Sequence, residues 1–278
     1  MIRFENIEVN GFNAAFRGLR NPKESWHKSD SYFGLINPEY CEEDYIITDK
    51  WIRKDEPFIE ETSDKYEELF KKYNTWLLEQ GILRKNQEYD VCDCAFIGPK
   101  DMELAQRMIL AGDDEGKFAR MIHIQMDIVA PLRWWKEFDT YKVATVRNSC
   151  STMHKLADKP ITRDCFSWDG YSDLRLIDPT GSPDSFIDET ISNCEQLRQL
   201  YLDTGDKRYW RALIDLLPDG WLMRSTVDFS YQTARHMFLA REHHKQSEWS
   251  EDFCNKMKEL PYGEELICIK NKKEINND

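Results

Sequence analysis

Between Ile122 and Ile128 the chain takes on a period of two. Ile122, Ile124, Met126 and Ile128 alternate with His123, Gln125 and Asp127. Successive side chains of a strand point to opposite faces, so this run predicts a strand within 118–129 with one buried and one polar face. Ala130-Pro131 ends it, because proline has no N–H to give a ladder. Leu132 to Phe138 then reads as a helix-like stretch. A half-buried strand needs neighbours. Residues 1–10, MIRFENIEVN, alternate in the same way and predict an opening strand.

The remaining patterns are mostly helical. Phe12–Leu19 predicts a short helix. Ser63–Gln80 carries an apolar face through Tyr66, Leu69, Phe70, Tyr73, Trp76 and Leu77, with Ser63 as its cap and Gly81 at its end. Pro99–Ala111 is stopped by Gly112, Ser185–Asp203 near Gly205, and Lys207–Leu217 by Pro218. Met223–His244 and Glu248–Leu260 read as two more helices, with Pro261 closing the second. Residues 20–60 and 157–183 are rich in proline, glycine or charge and predict loops. The expectation is one α+β domain over 1–270, a central, mostly antiparallel sheet flanked by helices. Residues 157–183 form a loop insertion, and 271–278 a charged tail.

Charge narrows the partners. The net charge is -13 and the pI about 5.0. A duplex nucleic-acid binder needs a basic field to neutralise phosphates, so that role is disfavoured, while a small basic pocket for one nucleotide is not. Nine Trp and 13% aromatics supply enough apolar surface to offset ordering entropy. No stretch approaches the ~20 apolar residues of a spanning helix, and no basic-then-apolar leader opens the chain. Eight cysteines scattered along a long chain read as free thiols in a reducing cytoplasm. Cys92-Asp93-Cys94 lacks zinc-knuckle spacing and reads as structural, so no metal is expected.

Two stretches carry polar chemistry. In the first, Ala130 to Leu156, Arg147, Asn148, Ser149, Cys150, Ser151, Thr152 and His154 gather within a short segment. Short hydroxyls, backbone N–H groups and a cation suit an oxyanion such as phosphate, and a polar turn capping the next element suits the same residues. Cys150 has two readings as well: a thiolate favoured by Arg147 and Lys155, able to attack a pyrimidine, or a buried structural thiol. In the second, Leu217 to Trp249, Arg241, His244 and Lys245 would share a helix face. That face could hold an anion, or be a solvated surface balanced by Glu242 and Glu248. Trp134-Trp135 read as core or interface aromatics, and His123 as facing solvent or a neighbouring strand.

Together these stretches resemble the two hallmark regions of the flavin-dependent thymidylate synthases, the thymidylate synthase-complementing family. In that family a strand ends in a short apolar helix and an R-H-R-x-x-S-x-N-E-x-S-x-R signature. Here the strand, Ala130-Pro131 and Lys155-Leu156 fall at matching offsets. The later region begins at Leu217-Pro218 and reaches Arg241 at the matching spacing, with Gln246 and Glu248 beyond. The resemblance covers roughly 118–156 and 207–260. At the signature positions stand Thr140, Tyr141, Lys142, Thr145, Arg147, Asn148, Cys150 and Thr152. Lys142, Thr145 and Cys150 are conservative replacements, whereas the outer arginines, the histidine and the Asn-Glu pair are replaced outright. Ser230 and Gln232 stand where the family has Asn and Arg.

The resemblance implies a homotetramer with sites between subunits, and reductive methylation of dUMP or a related pyrimidine nucleotide. FAD would be the cofactor, NADPH and methylenetetrahydrofolate the co-substrates. It implies that Arg241 holds the base as the catalytic residue, with Arg147, Cys150, Ser151 and Thr152 on the substrate side. Thr140, Tyr141, Lys142, Thr145, Ser230 and Gln232 would then face the flavin. Two alternatives stay open: a non-catalytic nucleotide-binding or assembly protein on this scaffold, and an enzyme acting on another nucleotide through Cys150.

Overall fold

In the computed structural model, residues 2–36, 92–168, 170 and 183–271 are described. The helix expected over Ser63–Gln80 lies outside them, as does 272–278. The architecture is α+β. A four-stranded antiparallel sheet has the order β1-β4-β6-β5, with β1 at Arg3–Asn10, β4 at His123–Pro131, β5 at Thr145–Ser149 and β6 at Leu222–Ser230. A two-stranded antiparallel ribbon pairs β2 (Tyr32–Ile36) with β3 (Cys92–Phe96), Tyr32 opposite Phe96 and Ile36 opposite Cys92. The chain divides into two compact units, 1–5 with 127–227 and 6–126 with 228–278, and the division falls inside β1, β4 and β6.

The alternation from Ile122 to Ile128 is realised in β4. Ile122, Ile124, Met126 and Ile128 are buried while His123, Gln125 and Asp127 are half-buried. The preceding Gly116–Met121 is a 3-10 helix, so the strand starts later and ends later than 118–129. β6 corrects the helix expected over Met223–His244. Met223, Val227, Tyr231 and Ala234 do recur at helical spacing. The burial of Ser225, Val227 and Phe229 against exposed Arg224 and Thr226 shows period two instead. Ser230 is the break, where the strand stops and a helix begins. The loop expected over 20–60 contains β2.

The second unit, 6–126 with 228–278, packs α1 (Phe12–Arg20), α2 (Pro99–Ala111), α7 (Tyr231–Arg241), α8 (Cys254–Glu259) and α9 (Gly263–Leu266). Phe12, Ala15, Phe16 and Arg20 bury one stripe of α1. Gly11 precedes it at φ 96, where a Cβ would collide with the Met121 carbonyl oxygen. The Asp30 carboxylate accepts from Lys100 N at 2.9 Å and Asp101 N at 3.0 Å, capping α2. Burial pushes the Asp30 pKa up, against those two hydrogen bonds. Asp101, fully buried, takes Arg20 Nε at 2.7 Å and the hydroxyls of Ser29 at 2.5 Å and Ser31 at 2.6 Å. The helix expected over Glu248–Leu260 opens with a π-helical turn, Glu248–Phe253, and continues as α8.

The first unit holds α3 (Leu132–Phe138), the short α4 (Thr152–Lys155), and a hairpin of α5 (Pro183–Thr204) and α6 (Lys207–Leu216). Gly205 turns the hairpin at φ 67, and Asp206 caps α6 by accepting from Arg208 N at 2.9 Å. Leu156, Ile161, Phe166, Cys194 and Leu213 form its core cluster. Glu195 fastens the 157–161 segment to α5, accepting from Ile161 N at 2.8 Å, while Arg198 donates to Ala157 O at 3.0 Å. The Arg198 guanidinium holds the Glu195 carboxyl down at about 2. Trp134, Trp135 and Phe138 are buried in mutual ring contact, so this pair is core. Trp135 donates to Ala130 O at 3.1 Å and Met223 O at 3.0 Å.

Candidate functional site

Thr140, Tyr141, Lys142, Thr145, Arg147, Cys150, Ser151 and Thr152 all lie in the first unit. α3 ends at Phe138, and a 3-10 turn, Asp139–Tyr141, leads toward β5. Along this path the short hydroxyls serve the backbone. Thr140 Oγ1 donates to Glu137 O at 2.7 Å, and Thr145 Oγ1 to Tyr141 O at 3.2 Å. Ser151 Oγ accepts from His154 N at 3.2 Å at the start of α4, where Thr152 is the first residue. Lys142 is exposed, as are Asn148, Ser149 and Cys150. Cys150 N donates to Arg224 O at 2.9 Å, which fixes the end of β5. Its thiol is therefore open to solvent and not a core group. Lys155 is held above its usual range mainly by the Asp158 carboxylate, with a small share from Cys150.

Arg147 is fastened on every side. Its Nη1 donates to Asp139 Oδ1 at 2.6 Å and its Nε to Ser225 Oγ at 3.1 Å. Its guanidinium carbon sits 4.0 Å from the centroid of the Trp135 ring. Its side chain is 15% exposed. A guanidinium spread over a carboxylate, a hydroxyl and an indole is part of the local fold.

Ser230, Gln232 and Arg241 lie in the second unit. Ser230 caps α7, accepting from Thr233 N at 3.2 Å. Gln232 is 7% exposed and bridges two groups. Its Oε1 accepts from Arg120 Nε, and its Nε2 donates to Asp113 O at 3.2 Å. One helical turn on, His236 Nε2 lies 2.9 Å from Asp113 Oδ1. The His236 hydrogen bond, helped by the Arg120 charge, holds the Asp113 carboxyl below its usual range. Arg241 ends α7, half-buried, with its guanidinium 5.1 Å from the Trp249 ring centroid. Trp249 is fully buried in the π-helical turn. The helix stops at Arg241, so His244 and Lys245 do not share a helix face with it. His244 instead accepts from Gln246 N at 3.2 Å through Nδ1.

Sequence reasoning missed Arg120, Asp113 and His236. The i, i+4 spacing of Gln232 and His236 was legible, but Arg120 and Asp113 join them through the tertiary fold. On β4 and β6, His123 Nδ1 lies 2.8 Å from Asp228 Oδ1, and Gln125 Nε2 donates to Asp228 Oδ2 at 2.8 Å. Among the described residues, no group of three or more His, Cys, Asp or Glu could hold a metal, and no helix is long and apolar enough to cross a membrane.

No protein-family model matches the chain, and no curated protein matches it significantly in sequence. Solved structures do match. Thymidylate Synthase X (ThyX) from Helicobacter pylori, crystallised with FAD and dUMP, is similar over 98% of this chain and 100% of its own. The TM-score is 0.54 and the identity 11%. The chain has the ThyX fold. A second flavin-dependent ThyX structure from Helicobacter pylori, complexed with FAD and dUMP, is 14% identical over 62% of this chain and 85% of its own, at a TM-score of 0.46. At these identities the likeness is one of scaffold.

The donors of each unit can be set against a flavin dinucleotide. The hydroxyls of Thr140, Thr145 and Ser230 are engaged with their own chain, and Gln232 is held in the Arg120–Asp113 bridge. The first unit still presents Lys142, Asn148 and Ser149 to solvent, and the second presents Arg120. These suit the charge and hydrogen-bonding demand of a diphosphate. They lack the paired forks of two arginines.

Proposed function

We propose that the protein binds a pyrimidine nucleotide, dUMP or a close relative, together with FAD, as a divergent flavin-dependent thymidylate synthase-like protein. The observation that carries this is the likeness of fold over 98% of the chain to a ThyX that was crystallised with both molecules. In this reading Arg241 contacts the base. Its guanidinium is oriented by Trp249, which the π-helical turn holds in the core. Arg120, steadied by Gln232, supplies a cation in the same unit, while Lys142 and the exposed Asn148–Cys150 segment are the polar groups that the first unit offers a ligand. FAD, when bound, supplies hydride chemistry for reductive methylation. NADPH would then be the reductant and methylenetetrahydrofolate the one-carbon donor, in a cytoplasmic homotetramer.

A second reading has a specific observation in its favour. Arg147, Thr140, Thr145 and Ser230 spend their hydrogen bonds within the chain. A scaffold that binds a nucleotide without methylating it would tolerate that. The deciding experiment is the visible absorbance of the purified protein, before and after FAD and then dUMP. A bound flavin band that dUMP perturbs supports the first reading, and methylation assays follow. Binding of dUMP by calorimetry with no flavin uptake, even at high micromolar FAD, overturns the first reading and leaves the second.

A further inference from the structure

Trp26 is 49% exposed, yet it is held in place. It opens a 3-10 turn, Trp26–Lys28, closed by Lys28 N to Ser25 O and Ser29 N to Trp26 O, both at 3.0 Å. Its indole N–H donates to Asn21 Oδ1 at 2.8 Å. The polar edge of the ring is therefore satisfied by the protein, and the exposed remainder is ring carbon. The loop is anchored at both ends. On one side Ser25 N donates to Arg20 O at 3.2 Å, and Arg20 pairs with buried Asp101. On the other, Ser29 and Ser31 donate to that same carboxylate.

A large aromatic ring is normally withdrawn from water, because burying it is favourable. Here the fold spends an anchored loop on keeping one out. With Arg20 neutralised by Asp101, the segment from Arg17 to Lys28 carries Arg17, Lys23 and Lys28 against Glu24, in a chain of net charge -13. Lys23, His27 and Lys28 are exposed. Protein–protein hot spots sit in well-packed pockets, ringed by contacts that exclude water. Among its described residues this unit exposes one further large apolar side chain, Met121. A pre-oriented indole on a loop that also exposes Lys23 and Lys28 matches a planar ring joined to a phosphate.

We infer that Trp26 is a stacking platform for the base or ring system of a nucleotide, with Lys23 and Lys28 placed for its phosphate. This rests on the nucleotide-binding reading above and names a residue for it outside both hallmark segments. Asn21 is the positioning residue that fixes the indole plane.

The test is calorimetric titration of dUMP and FAD into the full chain and into Trp26→Ala, Trp26→Phe and Asn21→Ala, with Tm and light-scattering mass measured for each. Trp26→Ala is expected to weaken one of the two ligands about tenfold, the usual scale for a lost base–aromatic stack. Trp26→Phe retains most of the affinity, Asn21→Ala falls between, and Tm stays unchanged throughout. Wild-type affinity in Trp26→Ala overturns the platform and leaves nucleotide binding intact. An altered mass with unaltered affinity also overturns it, in favour of a contact between copies. If the wild-type chain binds neither ligand, both the platform and the proposed function fall.

Discussion

The two candidate segments differ in what their cations do. In the first unit Arg147 stands at a signature position, and its guanidinium is shared among Asp139, Ser225 and Trp135. In the second, Arg241 rests half-buried over Trp249, and Arg120 is exposed, its Nε spent on Gln232. In both segments the resemblance to the thymidylate synthase-complementing pattern rests on spacing. The difference teaches that a cation at a matching position counts as a ligand group after its partners in the fold have been subtracted. By that measure the fold of the first unit absorbs Arg147.

The largest effect tests how completely an arginine can be absorbed by the fold. Asp101 is fully buried and receives Arg20, Ser29 and Ser31. Asp101→Ala leaves Arg20 buried without a counter-charge, and such a removal costs about 3–5 kcal/mol. Denaturant unfolding should show that loss, with a smaller one for Asp101→Asn. If Asp101→Ala unfolds at the wild-type midpoint, Arg20 has found water or another partner, and the subtraction rule is unsafe for this molecule.

The next effect addresses the comparison itself. Arg147→Ala removes one charge-assisted hydrogen bond, one bond to a hydroxyl and one cation–π contact, together about 2–3 kcal/mol. Its dUMP affinity, measured well below the unfolding transition, should match wild type. Arg241→Ala should do the reverse. Its loss of dUMP binding, about tenfold or more, should exceed its loss of stability. A stable Arg147→Ala that no longer binds dUMP would return Arg147 to the ligand and erase the contrast.

How much of this was legible beforehand depends on which interactions decide each element. β4 was readable because Ile122 to Ile128 carries its own period. Pro99–Ala111 was readable because proline and glycine mark its ends. β6 was not. Met223, Val227 and Tyr231 satisfy a helix period as well as a strand period, and the sheet order that settles the matter is a long-range property. The resemblance of two segments to the family's hallmark regions is readable from spacing. The partners of Arg147 are not: Ser225 is 78 residues away, and no local pattern encodes it. The same holds for Gln232, whose bridge to Arg120 and Asp113 spans 112 and 119 residues.

The smallest effect separates local structure from ligand contact at Ser230. The family resemblance places a flavin contact there, in a position where the family has Asn. In this fold Ser230 caps α7, and Asn is as good a cap as Ser. One physical role therefore accounts for both residues without any ligand. Ser230→Ala should cost about 1 kcal/mol of stability, and Ser230→Asn should restore it. If the cap is the whole story, FAD uptake measured on folded protein is the same for all three side chains. If Ser230→Asn recovers stability and also tightens FAD, the position carries a contact beyond the cap. The second unit would then hold both a flavin determinant at the start of α7 and a base determinant at its end.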